Sequence, residues 1–252
     1  MIKRLLLGAI ACAAASCGGN DNIVEDAGPE ALYDRGSEMM EAGNYQGAVQ
    51  YFLQLEARYP FSNLTRQAQL DIISAYYKSR QPEAAIDAAD EFIRENPTHP
   101  RVDYALYMKG LVYFDEGPNV LERLFKVDMS ARPPKDTEEA FNVFQELLRR
   151  FPDSRYAADA HRRMVFLRNR LAEYENHVAR WYIRRGAYVA AVQRAEYAIE
   201  HYPGAPQLEE SLEIMIEAYN ELGMTELAAD ARRVLERSFG DGATPSEPIR
   251  LD

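Results

Sequence analysis

The sequence has only two cysteines, Cys12 and Cys17, and none beyond residue 17. The body of the chain therefore has no disulfide framework and no cysteine-based metal site open to it. Positive charge is also short, with 29 Lys and Arg against 40 Asp and Glu and a net charge of −11. Broad nucleic-acid binding needs a cationic footprint, so this balance argues against it. Catalytic signatures are missing as well. The four histidines, His99, His161, His177 and His201, form no HExxH or other ligand pair. No serine sits in a GxSxG context, and no glycine-rich phosphate loop occurs. The adjacent pairs Glu138–Glu139 and Glu209–Glu210 point to different faces of a helix and cannot work as catalytic pairs. The single tryptophan, Trp181, reads as a core residue. No cofactor and no metal are expected, and the chain does not read as an enzyme.

What is present begins with a leader. "MIKR" is basic, and "LLLGAIACAAA" is apolar but far shorter than the ~20 residues a spanning helix needs. "ASC" then sets small residues ahead of Cys17. That is the order of a secretory signal, and the cysteine at the cleavage point resembles a bacterial lipoprotein signal. Residues 1–16 are read as signal peptide and Cys17 as the lipid attachment residue. Ala14 stands where that signal usually has Leu. Cys12 is the rival acceptor, although it would leave an apolar region of only seven residues. Plain secretion without lipid is the third reading. Cleavage before Cys17 removes Lys3 and Arg4, which leaves 27 basic against 40 acidic residues, or −13. Two or more acyl chains hold a protein at a membrane where one is marginal. Residues 17–29 have little to bury and read as a tether. Gly18, not Asp, follows the cysteine, and by resemblance to enterobacterial sorting rules this favours the outer membrane.

The rest of the chain carries a repeated stop. Pro60, Pro97, Pro152, Pro203 and Gly240 fall at spacings of 37, 55, 51 and 37. Twelve positions before each stop sits an alanine: Ala48, Ala85, Ala140, Ala191 and Ala228. Eight before it comes Phe52, Ala89, Phe144, Ala195 or Arg232. One helix further back lie Gly36, Ile73, Gly110, Ala179 and Ile216. Small residues let two helices approach, and proline ends the second because it lacks the N–H and clashes with the preceding turn. This pattern resembles the tetratricopeptide repeat. The expected fold is all-α, a tetratricopeptide-repeat solenoid of about five helix-turn-helix units. The second spacing, which spans repeat three, exceeds the first by 18 residues, between Gly110 and Ala140. Gly117, Pro118, Pro133 and Pro134 forbid one helix there, so repeat three carries an irregular insert around 117–135. Its "VLERLF" is amphipathic and is read as packing on the solenoid. Asp136 and Glu139 look like a capping box for the next helix. The third spacing, which spans repeat four, exceeds the first by 14 residues, about four helical turns, with no Gly or Pro from Ser154 to Arg185. A long helix is expected in repeat four. Residues 30–152 then hold repeats one to three and 153–240 repeats four and five, with 241–252 a disordered tail.

In a tetratricopeptide solenoid the first helix of each repeat, helix A, lines the inner surface. The inward positions of repeats one to three become Tyr33, Ser37 and Met40; Leu70, Ser74 and Tyr77; and Tyr107, Leu111 and Phe114, with Tyr104 one turn before Tyr107. Tyr33, Met40, Leu70, Tyr77, Tyr104, Tyr107 and Phe114 are the candidate residues of a peptide groove. The same reading gives an acidic end in repeat five, with Glu210, Glu213, Glu217 and Glu221. The other reading of these aromatics is plain packing between repeats, because tyrosine suits a half-buried place with its hydroxyl in water.

Longer phrases carry a more specific resemblance. "QLDIISAYYKS", "ENPTHPRVDYALYMKGL", "FKVDMSARPPKDTEEAFNVFQELLRRFPDS" and "RGAYVAAVQRAE" are similar to the BamD (ComL/YfiO) family of outer-membrane barrel-assembly lipoproteins, from about residue 30 to 240. The resemblance implies a non-catalytic scaffold lipid-anchored at the periplasmic face of the outer membrane of a Gram-negative bacterium. It implies that the C-terminal repeats dock the assembly protein BamA, with Arg194 at the pairing position. It implies that the N-terminal groove receives the aromatic-ended C-terminal signal of unfolded outer-membrane proteins. Other lipoproteins of the complex are further implied partners. The alternative is another tetratricopeptide lipoprotein, a secretin pilotin or a cell-wall coordination factor.

Overall fold

The computed structural model describes residues 28–115 and 135–240. The signal peptide, Cys17, the tether up to residue 27, the insert with "VLERLF", and the tail 241–252 lie outside the described residues. Ten helices occur among the described residues: α1 (Pro29–Glu41), α2 (Tyr45–Arg58), α3 (Asn63–Lys78), α4 (Pro82–Glu95), α5 (Val102–Asp115), α6 (Lys135–Arg150), α7 (Ala157–Ile183), α8 (Tyr188–His201), α9 (Leu208–Glu221) and α10 (Thr225–Phe239). Each packs on the next in sequence. Helix A of a repeat also touches helix A of the following one, as in α1 with α3, α3 with α5, and α7 with α9. The result is a right-through stack of five hairpins, the tetratricopeptide-like solenoid that the repeat pattern predicts.

The repeated stop has one local geometry. Helices α2, α4 and α8 end two residues before Pro60, Pro97 and Pro203. The intervening residues, Tyr59, Asn96 and Tyr202, have φ near −130° and ψ near 50°. Proline pushes its predecessor out of the helical region, so the break is imposed where it is written. The turn between helices A and B also repeats. Gly43, Arg80, Gly186 and Gly223 all have positive φ, five residues before the marker alanine. Glycine takes that conformation without a Cβ penalty; Arg80 takes it with one.

The markers are where the hairpins close. Ala48, Ala85, Ala140 and Ala191 are wholly buried and Ala228 nearly so. Phe52, Ala89, Phe144 and Ala195 are buried too. The glycines of helix A meet the aromatics of helix B. A Cβ on Gly110 would stand 2.5 Å from Phe144 Cε1, and one on Gly36 would collide with the Phe52 ring. At the end of the array the pattern runs out: Arg232 is exposed and Ile216 only half-buried. Asp136 is a correction. Helix α6 begins at Lys135, so Asp136 stands inside its first turn and not ahead of it as a cap.

The long helix of repeat four is α7, with 27 residues and no break. Its buried positions, Ala160, Met164, Leu167, Leu171, Ala172, Glu175, Asn176 and Ala179, keep to one face at helical spacing. The first of these join a core with Phe144 and Leu147 of α6 and with Tyr202, Ala205 and Leu208 beyond α8. Ala179 joins a second core with Ala191, Ala195 and Ile214. The main core thus runs across residues 152 and 153, and the boundary drawn there from sequence is not a break in the fold.

Gly110→Ala tests the close approach. Helix propensity alone would gain ~1 kcal/mol, and overpacking against a buried ring costs about 1–3 kcal/mol. The expected outcome in urea unfolding is a lower midpoint for Gly110→Ala, recovered in part by adding Phe144→Leu. A raised midpoint for the single variant would show that the ring has room.

Candidate functional site

Where successive A helices meet, tyrosine hydroxyls donate to aspartates of the next repeat. Tyr33 Oη on α1 donates to Asp71 Oδ2 on α3 at 2.9 Å. Tyr77 on α3 donates to Asp115 on α5. Tyr107 Oη on α5 donates to Asp159 Oδ2 on α7 at 2.9 Å. The last junction uses ions instead. Arg180 on α7 reaches Glu210 Oε1 at 3.1 Å and Glu217 Oε2 at 2.8 Å on α9. Four junctions are therefore tied on one face. The cause lies in the spacing: each A helix presents a polar-tipped residue toward its successor. The bonds also shift titration. Burial, with the Asp71 charge behind it, pushes the Tyr33 phenol up to about 12. Burial and the bond to Asp115 push Tyr77 up to about 12 as well. The Arg163 side chain bonded to Asp159 holds that carboxyl below the usual range.

The predicted groove residues divide on this face. Tyr33, Tyr77 and Tyr107 are half-buried, each with its hydroxyl committed and part of its ring open. Tyr104, Phe114 and Met40 are also half-buried. Leu70 is a correction. At 0% exposure it belongs to the main core with Phe92 and Val102 and cannot touch a peptide. The acidic end is corrected in part, because Arg180 already meets Glu210, Glu213 and Glu217, three of its carboxylates.

The face is richest between repeats three and four, through residues the sequence reading did not select. Tyr156, just before α7, stacks on Tyr107 with centroids 4.6 Å apart and lies 5.8 Å from Tyr104. Phe166 lies 5.9 Å from Phe114 and is 48% exposed. Arg163 lies over the Phe114 ring at 4.6 Å. Together these make a shelf of aromatic rings with arginines at its edge. Tyr156 and Phe166 fall within the lengthened fourth repeat, where the repeat phase no longer predicts which side chains face inward.

The C-terminal half has its own polar seam along α7. Arg168 Nη1 donates to the Pro203 carbonyl at 3.1 Å, and Asn176 Nδ2 to that of Gln207 at 2.7 Å. Ser211 Oγ donates to Asn176 Oδ1 at 2.6 Å. Arg194, the predicted docking residue, donates from Nη1 to Glu175 Oε2 at 3.2 Å. The Glu175 side chain is only 4% exposed and that of Arg194 44%. Burial raises the Glu175 carboxyl pKa, and Arg194 is its chief counterweight. Arg194 thus has one side in solvent and a structural duty inside, which the sequence reading did not foresee. Trp181 is a further correction: it is 40% exposed, with Arg185 over its ring at 4.0 Å.

The chain matches a family model described as outer membrane lipoprotein, YfiO, over residues 25–235. A relative in Neisseria meningitidis serogroup A, outer membrane protein assembly factor BamD, is 43% identical over 245 residues, covering 95% of this chain and 92% of its own length. The chain belongs to this family of outer membrane lipoproteins. The BamD of Vibrio cholerae serotype O1 is 37% identical over 220 residues, 87% of this chain and 91% of that relative. Among solved structures, the crystal structure of MamA protein covers 87% of this chain and 98% of its own at 16% identity, with a TM-score of 0.40; so loose an overlay adds nothing. The span matched to the YfiO family takes in all four inter-repeat ties.

Two expectations follow for these side chains. Tyr33 and Tyr77 keep their protons in the fold to about pH 12, while an unfolded phenol loses its proton near 10. The folded state therefore binds more protons in that window, and stability falls as pH rises through it. Phenolate absorbance should show a late-titrating class that Tyr33→Phe and Tyr77→Phe each diminish; titration of every tyrosine near 10 would contradict the ties. Arg194→Glu should lower stability, because it sets a like charge against buried Glu175. Loss of a charged hydrogen bond alone costs about 1.5–3 kcal/mol, so a clear drop in melting temperature is expected. Adding Glu175→Gln should recover most of it.

Proposed function

We propose that the protein is a non-catalytic adaptor in the assembly of outer-membrane β-barrel proteins. It is held at the periplasmic face of the outer membrane by lipid on Cys17. None of the described helices is long and apolar enough to cross a membrane. Its C-terminal repeats dock BamA, with the solvent side of Arg194 in that contact. Its N-terminal repeats receive the aromatic-ended signal of an unfolded client. Near full-length likeness to assembly factors named BamD is the observation that carries the reading. The half-open rings of Tyr77, Tyr107 and Phe114 support the client surface, since burying one ring fully is worth ~1.5–3 kcal/mol. A disordered client loses much of that gain in being ordered, so micromolar affinity is expected, which suits a receptor that must release its client.

The test separates ring from hydroxyl. A labelled peptide with a barrel-signal sequence, with and without its terminal Phe, is titrated against wild type, Tyr77→Phe/Tyr107→Phe and Tyr77→Leu/Tyr107→Leu. The Phe pair should bind nearly as wild type and the Leu pair several-fold weaker, both only to the Phe-ended peptide. Equal binding of the two peptides by wild type would reduce the face to inter-repeat packing. For the partner, Glu175→Gln is the reference that relieves Arg194 of its internal duty. Arg194→Gln on that background should weaken BamA capture without further loss of stability; unchanged capture would remove Arg194 from the interface.

A further inference from the structure

Two arginines on the helix-A face are matched by carboxylates: Arg163 by Asp159, and Arg180 by Glu210, Glu213 and Glu217. Arg101, just before α5, and Arg155, just before α7, form no ion pair with any carboxylate among the described residues. Arg66 and Arg168 also meet no carboxylate among the described residues, so what distinguishes Arg101 and Arg155 is where they meet. Both guanidinium groups converge on one phenol. Arg155 Nη2 donates to Tyr156 Oη at 2.6 Å, and Arg101 Nη2 lies 3.5 Å from the same oxygen. Arg101 rests over the Tyr104 ring at 5.0 Å and Arg155 over the Tyr156 ring at 4.8 Å. The nearby carboxylates are engaged elsewhere. Asp103 accepts from Ser154 Oγ at 2.6 Å and from the Tyr104 N–H at 2.7 Å. Asp71 accepts from Tyr33 and Gln67, and feels the Arg101 charge without pairing to it. Arg155 is exposed and Arg101 half-buried, so the pair is open to solvent.

We propose that Arg101 and Arg155 form the subsite for the terminal carboxylate of the client, with Tyr104, Tyr107 and Tyr156 receiving its last ring. This rests on the client reading above and names the group that the reading leaves unspecified. Two unmatched guanidinium forks call for a planar anion, and carboxylate is the shape they bind with paired hydrogen bonds. The anion position adjoins a stacked aromatic shelf. A residue that carries both a ring and a free carboxylate satisfies both at once. Only the last residue of a chain ending in an aromatic does so; an internal Phe has its carboxyl in a peptide bond. The arrangement therefore selects chain ends over internal aromatic segments.

Three peptides decide it: one ending in Phe as the free acid, the same peptide as the C-terminal amide, and one ending in Ala as the free acid. Each is titrated against the full chain as wild type and as Arg101→Gln/Arg155→Gln, with circular dichroism to confirm the fold. The amide should bind wild type about tenfold more weakly than the acid, as loss of a charged hydrogen bond implies. On the double variant the acid and amide should bind alike, both weakly. If wild type binds acid and amide equally while still rejecting the Ala peptide, the clamp is wrong and the client reading stands. If no peptide binds wild type, both are wrong. Should the double variant fail to fold, the acid and amide on wild type decide alone, since the preference for the acid must also shrink as salt is raised.

Discussion

A helical hairpin of this length cannot bury its own apolar face, so every repeat must lean on the next. That constraint organises the molecule. It requires small residues where helices cross, which is why Ala48, Ala85, Ala140 and Ala191 are wholly buried and why Gly36 and Gly110 lie against Phe52 and Phe144. It requires the chain to reverse at fixed intervals, which the prolines enforce. On α10, Leu227, Val234 and Arg232 are exposed, so the last described helix does not repeat the buried pattern of the earlier ones.

The same constraint sets how function and stability share residues. Tyr33, Tyr77 and Tyr107 each tie one A helix to the next through an aspartate, while their rings line the face proposed to meet the client. Arg194 likewise balances buried Glu175 while standing half in solvent. A residue with two duties cannot be tested by deletion alone, because loss of binding and loss of fold then arrive together. The hydroxyl and the ring of a tyrosine, or the two partners of an ion pair, must be varied separately. Arg101 and Arg155, which balance no buried carboxylate and meet only tyrosines through their guanidinium groups, are for that reason the more informative pair.

The repeat was legible because its markers are local and backbone-imposed: a proline two residues past a helix, an alanine twelve before it. The solenoid, the number of repeats and the long α7 all follow from those spacings. Gly43, Gly186 and Gly223, five residues before the alanines, carried a turn signal that the same alignment could have shown, with Arg80 as its exception. Inward positions were legible only where the phase held. Leu70 shares the phase of Tyr33 and Tyr107, yet neighbouring helices close over it. Tyr156 and Phe166 lie in the lengthened repeat, where counting from Ala179 points elsewhere. The Glu175–Arg194 pair joins residues 19 apart on separate helices, and no spacing rule marks it. Residue type suggests a buried Trp181, but nothing in the sequence marks that α7 ends with that ring outward.

Helix α7 joins the two halves in which client and partner surfaces are proposed. Its first turns belong to the core shared with repeat three and its last to that of repeats four and five. The claim at the centre of the account is that α3 to α9 form one cooperative body with α7 as its spine. Native-state amide hydrogen exchange tests it directly. The predicted result is that amides along the whole of α7 exchange with one common opening free energy, shared by α5, α6 and α8, while α1 and α10 open more easily. Separate opening of the segments before and after residue 152, with protection failing midway along α7, would contradict it.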